Sequence, residues 1–87
     1  MNKFQIDHNY HYAFKREGFK ITFTNGYTVS VQFGSGTYSD EGETTAEVAA
    51  WGPGEQGEYV KLTDYDDVKA HCSPEEVLEV MNKVAAL

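Results

Sequence analysis

One cysteine, one tryptophan and two prolines are all that the 87 residues hold of those types. A lone Cys72 excludes an internal disulfide and suits a reducing compartment. No apolar run approaches the ~20 residues that span a bilayer. The N-terminus lacks the apolar core of a signal peptide, so a soluble, intracellular setting without membrane contact is expected. Positive charge is scarce as well: seven Lys and Arg stand against fourteen Asp and Glu, a net charge of −7. The imbalance is uneven. Residues 1–33 carry Lys3, Lys15, Arg16 and Lys20 against Asp7 and Glu17, a net of +2. Residues 34–87 carry three lysines against twelve carboxylates, a net of −9. Such a chain repels nucleic-acid phosphates and anionic membranes and suits a partner with a basic surface. Acidity alone also aids solubility. Catalytic signatures are missing too: there is no GxSxG, no HExxH and no internal repeat. No enzyme and no cofactor is expected.

The chain does hold twelve aromatics, and its clearest pattern is FKITFTNGYTVSVQF at Phe19–Phe33. Phe19, Ile21 and Phe23 alternate with polar residues; Tyr27, Val29, Val31 and Phe33 do the same. Period two in β-branched and aromatic residues predicts half-buried strands, and Asn25-Gly26 predicts the turn between them. A two-residue loop would mix apolar and polar side chains on each face. A three-residue loop, Thr24-Asn25-Gly26, pairs Phe23 with Tyr27, Ile21 with Val29 and Phe19 with Val31, and gives one apolar face. It also sets Gly26 at the left-handed position of a G1 bulge.

Residues 4–14 alternate again, with Phe4, Ile6, His8, Tyr10, Tyr12 and Phe14 on one parity. Lys15-Arg16-Glu17-Gly18 reads as a four-residue loop that pairs Phe14 with Phe19 and Tyr12 with Ile21. Gly34–Glu43 is a loop on composition. Thr45–Trp51 and Glu58–Leu62 read as a second hairpin, with Ala50 opposite Val60 and Val48 opposite Leu62. That register sets Trp51 and Tyr59 together on the other face, either exposed or packed under the N-terminal strand. Gly52–Glu58 is a long loop, and Thr63–Cys72 an acidic connector. Ser73-Pro74-Glu75-Glu76 is a capping box with proline at N1, and Val77, Val80, Met81 and Val84 recur at helical spacing, so Pro74–Ala86 is expected to be helical. The fold expected is a single α+β domain: an antiparallel sheet of about five strands, made of a three-stranded meander and a second hairpin, with its aromatic face covered by one C-terminal helix. A domain of this size buries only about 60–65% of the surface its unfolded chain exposes.

Three constellations invite chemistry and fall short of it. His8, His11, His71 and Cys72 contain metal-ligating types, but extended backbone sends His8 and His11 to opposite faces, and adjacent His71 and Cys72 chelate poorly, so no metal is expected. Asp64, Asp66 and Asp67 offer oxygen ligands without the glycine and closing glutamate of an EF-hand. Cys72 lies just before a helix start, where a thiol pKa can fall, beside His71, but nothing else accompanies the pair.

The stretches NGYTVSVQFGSGTYSD at residues 25–40, TTAEVAAW at residues 44–51 and SPEEVLEVMNKVAAL at residues 73–87 make the chain resemble small accessory proteins encoded by tailed bacteriophages. The resemblance covers most of residues 19–87 and implies production in an infected bacterium. By analogy of class, such proteins inhibit host or defence enzymes by stoichiometric binding, as anti-CRISPR proteins do. The functional expectation is a phage-encoded inhibitor, acting in the host cytoplasm as a monomer or homodimer. It would bind a basic, nucleic-acid-handling bacterial protein rather than nucleic acid itself. Asp40, Glu41, Glu43 and Glu47, with Asp64, Asp66 and Asp67, would occupy a cationic groove, and Tyr38, Trp51 and Tyr59 would anchor the contact. Two alternatives are an oligomeric sponge for a nucleotide signal, using the Gly34–Thr37 loop with Lys15, Arg16 and Lys20, and a structural or scaffolding protein of the virion.

Overall fold

The turn at Asn25-Gly26 forms as the alternation requires. In the computed structural model, Gly26 N donates to Phe23 O and Phe23 N donates to Tyr27 O, both at 2.9 Å. Ile21 lies opposite Val29 and Phe19 opposite Val31, the register of a three-residue loop. Gly26 has φ +87°, in the left-handed region that favours glycine. The structure describes residues 2–11, 14–34, 39, 44–54, 57–63 and 67–87, with only the backbone of 7–11 and 14–16.

Among the described residues, five antiparallel strands follow one another across a single sheet: β1 Lys3–His11, β2 Phe14–Thr22, β3 Thr28–Gln32, β4 Ala46–Trp51 and β5 Val68–Cys72. One helix among them, α1 Pro74–Ala85, packs on β3, β4 and β5. The chain is therefore α+β. No helix of the described residues is long and apolar enough to cross a membrane.

Two strand assignments differ from the sequence reading. Lys15-Arg16-Glu17-Gly18 is strand, not loop. β1 and β2 pair along nine positions, with Phe4 opposite Ile21 and Ile6 opposite Phe19. The expected pairing of Phe14 with Phe19 has the same facing parity but an offset of eight residues. The longer ladder satisfies more backbone groups, which decides between them.

The fifth strand is also elsewhere. Pairing of Glu58–Leu62 with β4 starts in the expected register: Val60 N donates to Ala50 O at 2.8 Å, and Trp51 bridges Tyr59. It then stops. Val48 pairs with Lys69 and Ala46 with Cys72, so the stretch expected to be an acidic connector supplies β5. Val60 and Leu62 instead pack beside the core. A bulge hides β5 from sequence reading. Ala70 and His71 together oppose Glu47, and His71 takes φ +51°. The extra residue lets Lys69 and Cys72, three apart, face the same side.

The core lies under the helix: Val29, Val31, Ala46, Val48, Ala50, Cys72, Val80 and Val84 are all buried. Small alanines at 46 and 50 let α1 approach closely. The helix starts where the capping box predicts. Ser73 Oγ accepts from Glu76 N at 3.2 Å, and Ser73 N donates to Glu76 Oε1 at 3.1 Å. Lys69 Nζ adds an ion pair to Glu76 Oε2 at 3.1 Å. The Ser73 N–H, and then Lys69, hold the Glu76 carboxyl below its ordinary value. Ser73→Ala should lower stability by about 1 kcal/mol, read as a urea midpoint. The Glu76 contribution should be lost as pH falls through its lowered folded-state value.

The sequence leads to the expectation that the helix covers the aromatic face; in the structure it packs only on β3, β4 and β5. It stops short of β1. Phe4 and Ile6 share the helix side of the sheet with Ile21 and Phe19, yet both are 75% exposed.

Candidate functional site

Among the described residues, the opposite face of the sheet carries no helix. Its side chains come from the alternate parity of each strand, and register sorts them into rows across the sheet. One row is Lys20, Ser30, Ala49 and Val68. A second holds Gly18, Gln32 and Glu47, and a third Thr22, Thr28 and Trp51. Small residues at 30 and 49 leave the middle low. The result is an open groove of about 410 Å³, lined by Lys20, Ser30, Gln32, Glu47, Ala49, Trp51, Tyr59, Asp67 and Val68.

Its floor is polar and ordered. Thr28, Ser30 and Gln32 are buried, although no helix of the described residues lies over them. Gln32 Nε2 donates to Ser30 Oγ at 3.1 Å, and the Thr22 and Thr28 hydroxyls bond at 2.9 Å. These bonds spare the Gln32 amide donor and the Ser30, Thr22 and Thr28 hydroxyls the penalty of a buried unsatisfied group. Trp51 and Tyr59 form one wall in a T-shaped contact, with ring centroids 5.8 Å apart and planes at 68°. Tyr59 remains 59% exposed. Of the alternatives left open by the sequence, the exposed one holds for this ring.

The groove gathers Glu47, Trp51, Tyr59 and Asp67 from the residues singled out by sequence. Tyr38, Asp40, Glu41, Glu43, Asp64 and Asp66 lie outside the described residues, as do residues 35–37 of the glycine-rich loop. Sequence reading named Lys20 only for the alternative nucleotide site and missed Ser30, Gln32, Ala49 and Val68. Lys20, Ser30, Gln32 and Ala49 sit at the polar parity of strands that were expected, so their shared face was available. Val68 could be placed only once β5 was known.

Recognition is the chemistry this lining offers. Two carboxylates and two aromatic rings attract a cationic or polar group, while Lys20 supplies one positive charge. Among the described residues, no group of three His, Cys, Asp or Glu could hold a metal ion. His71 is exposed at the bulge, whereas Cys72 turns into the core, where burial raises its thiol pKa. A buried thiol of raised pKa is a poor nucleophile. No family model, no curated protein and no solved structure matches the chain.

Proposed function

We propose that this chain is a non-catalytic, phage-encoded inhibitor, anti-CRISPR-like by class. It acts in the host cytoplasm by occluding a basic surface on a nucleic-acid-handling bacterial protein. The observation that carries the reading is the convergence of Glu47, Trp51, Tyr59 and Asp67, from separate stretches of sequence, on one open groove. A lysine or arginine of the partner stacks on the Trp51–Tyr59 wall and meets the two carboxylates. Glu47 and Asp67 are also where the acidic stretches Asp40–Glu47 and Asp64–Asp67 end, so more negative charge adjoins them along the chain. The phage setting comes from the resemblance of residues 19–87.

An oligo-arginine peptide is a direct probe, because Trp51 is the single tryptophan and its fluorescence reports the groove. Binding should weaken as salt rises, mainly through a slower on-rate. Reversing Asp67, which is exposed, to lysine should reduce affinity while leaving the fold intact, since exposed carboxylates contribute only about 0–1 kcal/mol to stability. Reversing half-buried Glu47 as well should bring the loss to at least tenfold, with circular dichroism checking the fold. Affinity indifferent to both salt and reversal would sink the reading.

A second reading is a small polar ligand held in the same groove. It is favoured by the cavity volume of about 410 Å³, within the range of small-molecule sites, and by Lys20, Ser30 and Gln32 in the lining. Native mass spectrometry separates the two: a sponge carries a bound nucleotide, and an inhibitor is empty.

A further inference from the structure

We infer that the uncovered helix-side surface of β1 and β2 is the interface of a symmetric dimer, with a second copy of this chain as its occupant. Phe4 and Ile6 are each 75% exposed and Leu78, on α1, is 57% exposed. Ile21, Phe19 and Phe23 lie beside them, half-buried. Asn2, Lys3, Phe4, Ile21 and Phe23 line an apolar hollow of about 300 Å³. Scattered exposed apolar residues are ordinary, but a contiguous set of this size marks an interaction surface.

Area selects the occupant. These side chains present on the order of 500 Å² of apolar surface per chain, taking ~200 Å² for a large side chain. Apolar atoms make up roughly 60% of a typical interface, so this implies close to the ~800 Å² per partner of a standard stable complex. A second copy offers the same apolar face.

Geometry then fixes the arrangement. Stacked sheets lie about 10 Å apart, close to the height at which a helix packs on a sheet. With the two-fold axis parallel to the strands, the β1–β2 ribbon of each copy stacks on that of the other. Each α1 then lies alongside the partner's β1 and covers an edge strand that would otherwise be open. The other edge, β5, is already broken by the bulge at His71. The contact is isologous, as closed dimers require, and it leaves both outer-face grooves open. It does not depend on what those grooves bind.

Sedimentation equilibrium of the full chain and of Phe4→Gln/Ile6→Thr tests the interface. Wild type should sediment as a dimer. The double variant should bind itself at least a hundredfold more weakly, given the apolar area removed. Its far-UV circular dichroism should be unchanged, because both side chains are exposed. A wild-type monomer at all concentrations, or a dimer untouched by the double change, would overturn the proposal. A second measurement tests the arrangement. Unlabelled chain carrying a spin label at Leu78→Cys, mixed with isotope-labelled wild type, should broaden the Lys3–Ile6 amides of the labelled copy. A dimer without that broadening would overturn the face-to-face packing.

Discussion

Gly18→Ala should lower stability by about 2–3 kcal/mol, as overpacking against backbone does. A Cβ at position 18 would collide with the Val31 carbonyl oxygen and lie 2.9 Å from Gln32 Cα. Both are backbone atoms of β3, so relief requires β2 and β3 to separate where Gly18 pairs with Gln32. That pair lies in the same cross-sheet row as Glu47, and the groove should deform with it. Urea unfolding followed by Trp51 fluorescence measures the loss, with Thr24→Ala in the exposed turn as a control. An unchanged midpoint for Gly18→Ala would mean that β2 and β3 are not in this close contact.

Asn25→Asp should lower stability by about 2 kcal/mol, although it preserves the turn. Asn25 does two things. Its Oδ1 accepts from Tyr27 N at 3.0 Å, which closes the turn. Its Nδ2 lies 2.9 Å from Val84 O, 3.2 Å from Leu87 O and 3.3 Å from Ala85 O. The last carbonyls of a helix have no partners within it, and here a turn residue 59 positions earlier in the chain supplies the donor. Aspartate keeps the acceptor and loses the donors. It also sets a negative charge against the negative end of the helix dipole. That charge is disfavoured on folding, so the folded-state pKa of the introduced carboxyl rises. The variant should then recover stability as pH falls through the carboxylate range, where protonation restores a donor. Thermal unfolding over that range measures both effects. A deficit that does not depend on pH would show that Asn25 acts through the turn alone.

Local signals in the sequence were read correctly because their physics is local. Gly26 and the alternation on either side of it leave one register with a single apolar face. Ser73 and Glu76 satisfy each other within one turn of helix. Glu47, Trp51 and Tyr59 share a face through strand parity. What escaped depends on distant partners or on a break in period. The offset between β1 and β2 was hidden because any even shift preserves parity, and Lys15–Gly18 has the composition of a turn. β5 was hidden because the bulge at His71 replaces alternation with a spacing of three between Lys69 and Cys72. Asp67 and Val68 join the groove only through that strand. The role of Asn25 at the helix end and the gap in the helix cover over Phe4 and Ile6 both depend on where α1 lies across the sheet. No periodicity within α1 encodes that position.

The central claim is that binding belongs to the polar outer face and not to the apolar helix side. Amide chemical-shift mapping with the oligo-arginine peptide tests it most directly. The account predicts shifts at Lys20, Ser30, Glu47, Ala49, Trp51, Tyr59 and Val68, fading as salt is added, with Asn2–Ile6 and Leu78 unmoved. Shifts centred on Phe4, Ile6 and Leu78, with the groove silent, would contradict it.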